Sequence, residues 1–421
     1  MPGPCGSESA RTLVQPAVEP PTDRVVHEAW RVEPFGADFV QETLPFEMRE
    51  TAFGPLFVRT SRFETQHYMG KVPIRVPRDS DASMLALLAL DPSLAGVELS
   101  RALFLDTETT GLSGGTGTVA FLVGMGGFDD GGRFVVEQLL LQTLGEEVPL
   151  LSCVLDRVRN ASAIVTFNGK AFDIPLLRTR LIMNRLPPFD GVPHLDLVHL
   201  ARRLHRARIG ACNLGSVESN VLGFERVGDV PSCEIAGRYF HYLRTGDASA
   251  LLDVATHNVW DVVSMAALVT LYSEPLDLLV GEDLADVAAV VHRARRAEHA
   301  ASIADVAVAK GGGARALRTR ANLSKARGEK HAALADFERL DREVDDPSVR
   351  LELAKLYEHY VKAIDRAIET VDRGISEGDS AVLRRRERLC RKLERAAATA
   401  LKTEKSQQAM LPLEGLEASS S

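Results

Sequence analysis

Residues 102–112, ALFLDTETTGL, constrain the fold of this chain more than any other stretch. Their apolar run ends at Asp106 and is followed by a Thr/Gly cluster, a pattern that predicts a short buried strand. Asp106 and Glu108 are two residues apart, so a strand would place both carboxylates on the same face. Neighbouring carboxylates at the end of an apolar strand repel each other and are costly to desolvate. A divalent cation between them is the simplest compensation, because Mg²⁺ and Mn²⁺ prefer carboxylate oxygens.

A second acidic motif follows in residues 165–177, VTFNGKAFDIPLL. A strand is predicted to end near Asn168, and Asp173 opens a predicted helix. The helix dipole favours a carboxylate in the first turn, so capping alone is an alternative explanation for Asp173. Likewise, Asp106 and Glu108 alone would also fit a strand that ends in a solvated polar turn.

A third group lies in residues 257–268, HNVWDVVSMAAL, where His257 and Asp261 are four apart on a predicted helix and share a face. A solvated polar pair is the usual outcome of that spacing. Asp261, however, precedes an apolar run, so its face is predicted to be half buried. Asp196, in residues 194–203, either supports the site or caps a helix, and we favour the structural role.

Composition excludes several classes of protein. The chain has 421 residues and 45% hydrophobic content, enough for two or three domains. Its formal net charge of −8 argues against a basic protein that coats nucleic acid, although a local basic groove is compatible with it. The five cysteines are scattered without a Cys-x-x-Cys pair, which predicts reduced thiols in a cytoplasmic protein. We predict no membrane segment, because no apolar run approaches the ~20 residues that span a bilayer.

Changes in composition along the chain predict five segments. They are a disordered N-terminal segment (1–30), a small lead-in region (31–97), a main α/β domain (98–274), a helical domain (275–405) and a disordered tail (406–421). Within the lead-in, residues 53–76 are predicted to form a small strand pair ahead of the main domain. In the main domain, three antiparallel strands and then alternating strands and helices predict a mixed sheet flanked by helices. Residues 113–117 do not fit a phosphate-binding loop and are predicted to form a wide hairpin loop.

The helical domain contains a weak internal repeat. Ala333, Phe337 and Leu340 recur 34 residues later as Ala367, Val371 and Gly374. A period of ~34 residues is typical of tetratricopeptide repeats. An irregular helical bundle is the alternative.

The three acidic motifs together resemble those of a known enzyme family. Asp106-x-Glu108, the stretch from Asn168 to Asp173, and His257-x-x-x-Asp261 are similar to the exonuclease motifs of the DnaQ-like, ribonuclease H-fold 3′→5′ exonucleases. The closer resemblance is to their YprB-like subgroup, through DTETTGLSGGTGTVAFLVG, CNLGSVESNVLG, RYFHYLRTGD and HNVWDVVS. It covers residues 85–272. The fold class it implies is α/β, a ribonuclease H-like mixed sheet flanked by helices, followed by an all-α, tetratricopeptide-like domain.

The resemblance also implies a metal site and a mechanism. The four acids Asp106, Glu108, Asp173 and Asp261 would bind two Mg²⁺ or Mn²⁺ ions. Ions about 4 Å apart would activate a water molecule and stabilise the leaving 3′ oxygen. One feature departs from the superfamily, because a histidine occupies the spacing of Tyr-x-x-x-Asp. His257 is therefore a candidate general base, a group that orients water, or a neighbour of the site.

Substrate contacts are predicted close to the motifs. The candidates are Thr109, Thr110, Gly111, Asn168, Lys170, Arg202 and Arg203. The first three would lie beside the terminal nucleotide according to the resemblance. The two arginines could bind phosphates or belong to a solvated helix face. Phe172 and Trp260, next to the acids, are predicted to be core residues rather than platforms on which bases stack.

Two functions follow from these observations. The leading hypothesis is a metal-dependent 3′→5′ exonuclease that acts on the 3′ end of DNA or RNA. The alternative is a non-catalytic nucleic-acid-binding or scaffold protein that retains the nuclease fold. In either case the C-terminal helices are predicted to bind a protein partner, because of the 34-residue repeat.

Overall fold

The computed structural model describes residues 44–76, 82–111, 117–273, 275–373 and 380–409. The predicted disordered segment 1–30 and most of the predicted tail lie outside these ranges. So do Gly374 and most of the predicted hairpin loop. Cys5 also lies outside them, and the other four cysteines are free thiols, as predicted.

The described residues contain nine strands. These are β1 (Glu47–Thr51), β2 (Gly54–Phe63), β3 (Tyr68–Met69), β4 (Val72–Pro73), β5 (Leu103–Thr109), β6 (Ala120–Phe128), β7 (Phe134–Leu140), β8 (Ile164–Thr166) and β9 (His194–Asp196). Seven of them form one sheet in the order β1-β2-β7-β6-β5-β8-β9, while β3 pairs with β4. Neighbours from β1 to β5 are antiparallel, whereas β5, β8 and β9 are parallel. The predicted mixed sheet is confirmed.

The strand pair at the start of the chain differs from the prediction in its location. Residues 53–76 were expected to form a small pair ahead of the main domain. A small separate pair does form within this stretch, between β3 and β4. The longer strand β2, however, joins the main sheet, where it pairs with β7 along seven residues, and β1 forms the outer edge of that sheet. The partner strand lies more than 70 residues further along the chain, so the local pattern predicted the strands without predicting their pairing.

Helices cover both faces of the sheet. They are α1 (Ser83–Ala89), α2 (Val148–Asn160), α3 (Asp173–Met183), α4 (Leu197–Leu204), α5 (Arg206–Ile209), α6 (Leu214–Val217), α7 (Ser232–Thr245) and α8 (Ser249–Leu271). Apolar residues of α4 and most of α8 pack with Phe104 of β5 and Val136 of β7 in one core. Apolar residues of α2, α3 and α7 pack with Leu105 of β5 in the other. Because side chains alternate along a strand, β5 contributes to both cores.

Helix α8 has the length and mean hydropathy of a membrane span, 1.3 over an 18-residue window. However, 78% of that window is buried inside the protein. Its residues from Val262 to Leu271 lie against the sheet and the helices that follow. Burial of this extent is what a core helix shows.

The second half of the chain is helical throughout its described part. It contains α9 (Gly281–Arg293), α10 (Ala297–Ala309), α11 (Gly313–Ala326), α12 (Lys330–Glu343), α13 (Pro347–Leu356), α14 (Ile364–Asp372) and α15 (Ser380–Ala409), with a π-helical turn at Tyr357–Val361. Helices α9, α11, α13 and α15 begin at residues 281, 313, 347 and 380, so successive starts are 32, 34 and 33 residues apart. The region is thus a series of helix pairs of nearly constant length.

The first helix pair shares the core of the sheet domain. Leu284 and Val291 of α9 and Ala304 of α10 belong to the same buried cluster as α8. A polar contact reinforces this junction, because Arg208 donates to both carboxylate oxygens of Asp283 at 2.7 and 2.9 Å. The predicted division near residue 275 therefore marks a change of architecture and not a break in the core.

Candidate functional site

The end of β5 is open on one side. Along β5 the pairing with β6 continues to Thr109, with a bulge between Glu108 and Thr109. On its other side, β8 pairs with β5 only at Leu103 and Phe104. The rest of that edge faces the start of α3, while α8 lies over one face of the strand. Bulges of this kind often redirect side chains at active sites.

Asp106 is held by an amide from α8. Asn258, which is fully buried, donates its Nδ2 to Asp106 Oδ2 at 2.8 Å. Its own Oδ1 accepts a hydrogen bond from Gln138 Nε2 at 2.9 Å. Gln138, Gly124 and Asp106 are directly opposite one another on β7, β6 and β5. A Cβ at Gly124 would lie 2.3 Å from Asn258 Oδ1, so only glycine leaves room for this amide.

Asp173 reaches the same strand from the other face. It is the first residue of α3, and its Oδ1 accepts a hydrogen bond from the Thr107 hydroxyl at 2.5 Å. The loop before α3 is held by Asp196, whose carboxylate accepts from the backbone N–H groups of Asn168 at 2.6 Å and Lys170 at 3.0 Å. Asp196 also caps α4, as the sequence predicted.

The third motif lies near the middle of α8. His257 Nε2 is 3.4 Å from Asp261 Oδ2 and 3.9 Å from Glu108 Oε1. The other ring nitrogen, Nδ1, is 2.6 Å from Asp229 Oδ1. The structure therefore brings Glu108, His257 and Asp261 together, although 149 residues separate the first two in the chain.

Arg226 is the cationic side chain in contact with this motif. Its guanidinium is 9% exposed and makes two hydrogen bonds to buried Glu218, at 2.6 and 2.8 Å, and one to Asp261 Oδ1. Glu218 is held in turn by the hydroxyl of Ser264 at 2.5 Å. Burial disfavours the charged guanidinium, but the carboxylates of Asp261 and Glu218 outweigh it and raise the pKa of Arg226.

The acids at the end of β5 are strongly perturbed. Burial, followed by the charge of Asp261, raises the pKa of both Asp106 and Glu108 well above the ordinary range. Burial also raises the pKa of Asp173 to about 6, against the opposing effect of the Thr107 hydrogen bond. Groups with perturbed pKa values cluster at functional sites, because both catalysis and metal binding need buried charge.

The arrangement fits a divalent cation. The ligand atoms of Glu108, His257 and Asp261 all lie within 4.8 Å of one another. Glu108 is 8% exposed, and its Oε1 is buried without a hydrogen-bond partner among the described residues. In Asp106, Asp173 and Asp261, one oxygen is held by a donor from a neighbouring element. A buried carboxylate oxygen with no donor is costly, and a metal ion would satisfy it.

The predicted substrate-binding residues have different locations. Thr109, Thr110 and Gly111 continue from the acids, where the Thr109 hydroxyl donates to the Gly111 carbonyl at 2.9 Å. Asn168 and Lys170 are in the loop held by Asp196, and Lys170 is exposed. Those five residues thus lie on segments that also carry a motif acid.

The two arginines of α4 are placed elsewhere. Arg203 donates to the carbonyl oxygens of Leu88 and Ala89 at 3.1 and 3.0 Å, so it caps the C-terminus of α1. Arg202 is exposed on the same helix. The contacts of Arg203 are those of a structural residue.

One prediction about the aromatic neighbours is wrong. Phe172 was expected in the core but is 56% exposed, because it precedes α3 and points away from the sheet. Trp260 is partly buried and packs edge-on against Phe224, with the Arg226 guanidinium 5.7 Å from its ring centre. The structural role expected for Trp260 is confirmed.

Sequence reasoning missed the residues that hold the acids. Thr107 and Asn258 are adjacent to motif residues, which is a signal that could have identified them. Arg226 and Asp229 lie in the connection before α7, in a stretch that carries none of the sequence motifs. Nothing local distinguishes these two from solvated loop residues.

Comparison with known proteins agrees with the sheet domain. Residues 103–273 match the RNase_H_2 family model of the RNase H superfamily. The chain is 40% identical over 179 residues to the uncharacterised protein YprB of Bacillus subtilis (strain 168). That match covers 42% of this chain and 43% of YprB, so the chain spans less than half of that relative. Residues 103–273 are thus similar to the RNase H superfamily, whose members are generally nucleases that use divalent metals.

Proposed function

We propose that this chain is a metal-dependent 3′→5′ exonuclease that hydrolyses the terminal phosphodiester bonds of nucleic acids with two divalent ions. The observation that carries the proposal is that Glu108 and Asp261 place ligand atoms within 4.8 Å of each other, close enough to Asp106 and Asp173 for the charges of these acids to act on one another. Glu108 Oε1 in this group is buried and has no hydrogen-bond partner among the described residues. Such a pocket repels an anionic phosphodiester until cations occupy it.

Each acid would hold metal with an oxygen that its neighbours leave free. Asn258 orients Asp106, Thr107 orients Asp173, and Arg226 orients Asp261. Bound ions supply the activation of water and the stabilisation of the leaving oxygen. The backbone from Thr109 to Gly111 continues directly from the acids and would border the terminal nucleotide.

The test uses full-length protein and single-stranded DNA and RNA oligonucleotides labelled at either end. With Mg²⁺ or Mn²⁺ we expect release of mononucleotides from the 3′ end, and chelation should stop it. Asp106→Asn, which keeps the size of the side chain, should lower kcat/KM by at least about 10³-fold, because metal-ion catalysis is worth several kcal/mol. Glu394→Gln, an exposed acid on α15, is the matched control.

An inactive wild type would contradict the proposal if it also failed to bind divalent cations in calorimetry. If that protein still bound oligonucleotides, the non-catalytic scaffold would be the better account. Release from the 5′ end or internal cleavage would retain a nuclease and remove the 3′→5′ assignment.

We also propose that the C-terminal helices form a tetratricopeptide-like array that binds a protein partner. The 32- to 34-residue spacing between the starts of α9, α11, α13 and α15 supports this organisation. Affinity capture with the full chain, compared with the same chain after charge reversal at Arg366 on α14, would test it. Recovery of the same proteins by both forms would count against a specific surface there.

A further inference from the structure

We propose that His257 is itself a ligand of the cation held by Glu108 and Asp261. One of the two metal positions would then be a mixed nitrogen and oxygen site, which favours Mn²⁺ and later transition metals over Mg²⁺. This inference rests on the proposed function because it concerns the same pocket, but it makes a separate claim about which atoms bind the metal.

The donor atoms face one another closely. His257 Nε2 lies 3.4 Å from Asp261 Oδ2 and 3.9 Å from Glu108 Oε1. Ligands at ~2.1 Å from one cation are separated by ~3 Å at right angles and ~4 Å across the ion. The observed separations are within that range. Glu108 Oε1 is buried without a hydrogen-bond partner, so the atom nearest the imidazole on that side still needs a positive neighbour.

Asp229 occupies one of the two ring nitrogens of His257, Nδ1, and thereby leaves Nε2 to face the pocket. The contact of 2.6 Å between Asp229 Oδ1 and His257 Nδ1 requires a hydrogen between them, which the neutral ring supplies from Nδ1. Arg226 Nη1 is also 3.1 Å from Nδ1, but it has Asp229 Oδ2 as an acceptor at 3.3 Å. With the Nδ1 side occupied by Asp229, Nε2 is the ring nitrogen that faces the two carboxylates and is placed to bind a cation between them.

A ring nitrogen and two carboxylate oxygens that face one another need a positive partner, which is either a proton on Nε2 or a metal ion between the three atoms. The same geometry is typical of metal-bound histidines, which donate the second ring N–H to a carboxylate. Asp229 would be that carboxylate. His257 and Asp261 are one turn apart on α8, so a rigid helix carries two of the three ligands.

Arg226 leaves the proposed ligand atom of Asp261 available. Its guanidinium donates to Oδ1 through Nη2, and the same nitrogen also donates to Glu218. Oδ2 therefore remains directed toward His257 Nε2. Imidazole suits transition metals, whereas Mg²⁺ selects carboxylates and water, which is the reason for the expected metal preference.

The experiment measures the ligand directly. Full-length protein is loaded with Mn²⁺, and pulsed electron paramagnetic resonance records hyperfine coupling to nitrogen. We expect a ¹⁴N coupling in the wild type that changes to ¹⁵N when histidine alone is labelled with ¹⁵N, a readout that needs no variant. The coupling should disappear in His257→Gln and persist in His241→Gln, a control on α7 whose side chain is 45% exposed.

Calorimetric titration with Mn²⁺ and with Mg²⁺ provides the second readout. His257→Gln should lower the affinity for Mn²⁺ by at least about 10-fold more than the affinity for Mg²⁺, and Asp229→Asn should weaken Mn²⁺ binding about 10-fold. Mn²⁺ binding without nitrogen coupling, or an unchanged Mn²⁺/Mg²⁺ ratio in His257→Gln, would overturn the assignment while leaving the nuclease proposal intact. Absence of any divalent binding would overturn both, whereas binding with nitrogen coupling but no hydrolysis would overturn the nuclease proposal alone.

Discussion

Two regions of the molecule bury carboxylates in opposite ways. In the helical region, Glu358 is completely buried and contacts three cationic side chains, at 2.8 Å for Arg385, 2.7 Å for Arg388 and 2.5 Å for Lys392. At the end of β5, several acids share a pocket in which Arg226 contacts Asp261. In the helical region, positive groups outnumber negative groups around the buried acid. At the end of β5, negative groups outnumber positive ones.

The pKa values follow this difference. Although burial opposes ionisation, the hydrogen bond from Lys392 and its neighbours lowers the pKa of Glu358 to about 2. Burial raises the pKa of Asp173 to about 6. The two kinds of buried acid differ in the number of cationic side chains that neutralise their charge. A structural acid such as Glu358 is neutralised by cationic side chains of the protein, whereas the acids at β5 outnumber the cationic side chains that contact them in the described part of the chain.

The largest expected contrast is in the pH dependence of stability without metal. The pKa of Asp173 is higher in the folded chain than its ordinary 3.8, so folding takes up a proton there. This stabilisation is complete below pH ~4 and is lost as the pH rises through about 6, with a total of roughly 3 kcal/mol. Asp173→Asn should remove this share of the dependence, while Asp106 and Glu108, whose pKa values are also raised, keep theirs. Urea unfolding in chelator at pH 5, 6 and 7 measures it.

The exposed acid Asp190 provides the control for this experiment, as Asp190→Asn, since its side chain is 76% exposed. Parallel stability profiles for wild type and Asp173→Asn would contradict the raised pKa. Glu358 should behave in the opposite sense, because its lowered pKa makes a contribution that is lost only as the pH falls below ~4.

The next contrast concerns Glu358 itself. Glu358→Ala should destabilise the fold by about 2 kcal/mol, because it leaves three cations facing one another. The effect is smaller than for a fully buried pair, since Arg388 and Lys392 are half exposed. Divalent-metal affinity should not change. Urea unfolding and metal titration of the same samples check both statements, with Glu394→Gln as the control. Loss of metal binding would show that the two regions are not independent.

A smaller effect, on nuclease activity, is expected from substitution of the uncharged residue Gly124. Gly124→Ala should lower nuclease activity about 10-fold, because its Cβ would displace Asn258 and so release Asp106. Gly237→Ala on α7, where a Cβ meets nothing within 4 Å, is the matched control. Steady-state kinetics on a 3′-labelled oligonucleotide would measure the difference. Equal activity in the two variants would mean that the Asn258 contact does not position the acid.

The smallest expected effect is that of Arg203→Ala, which tests whether this arginine is structural or binds substrate. Arg203→Ala should lower stability by about 0.5–1 kcal/mol, because α1 loses its C-terminal cap, and KM for oligonucleotides should not change. Arg202→Ala provides the comparison on the exposed face of α4. A raised KM in Arg203→Ala at unchanged stability would restore the phosphate-binding role that the sequence predicted for it.

Local sequence pattern was sufficient for most elements of the fold. The strands β5, β6 and β7 and the helices α2, α3 and α8 follow from apolar periodicity and turn residues. The pairing of β2 with β7 did not, because register between distant strands depends on side chains that meet only in the folded chain. The exposure of Phe172 was missed for a related reason, since an apolar residue next to a motif carries no local sign of the face it occupies.

The residues of the candidate site could be predicted from the sequence to about the same extent as the fold. The motifs identified Asp106, Glu108, Asp173, His257 and Asp261, and the structure brings them together. The residues that hold them were not predictable, because Arg226 and Asp229 belong to a loop with no recognisable pattern. Their contribution depends on distances of about 3 Å between side chains that are 28 to 35 residues apart in the chain.

The continuous packing of α8 against α9 has a practical consequence for dissecting this protein. A fragment that begins near residue 275 would expose the apolar flank of α9, including Leu284 and Val291, which the sheet domain normally covers. Such a fragment would bind unrelated proteins non-specifically. A fragment that contained only the sheet domain would expose the complementary apolar surface. Assays of either fragment alone would therefore measure effects of the newly exposed apolar surface as well as the function of the fragment. Point substitutions in the intact chain are the safer way to assign roles to residues.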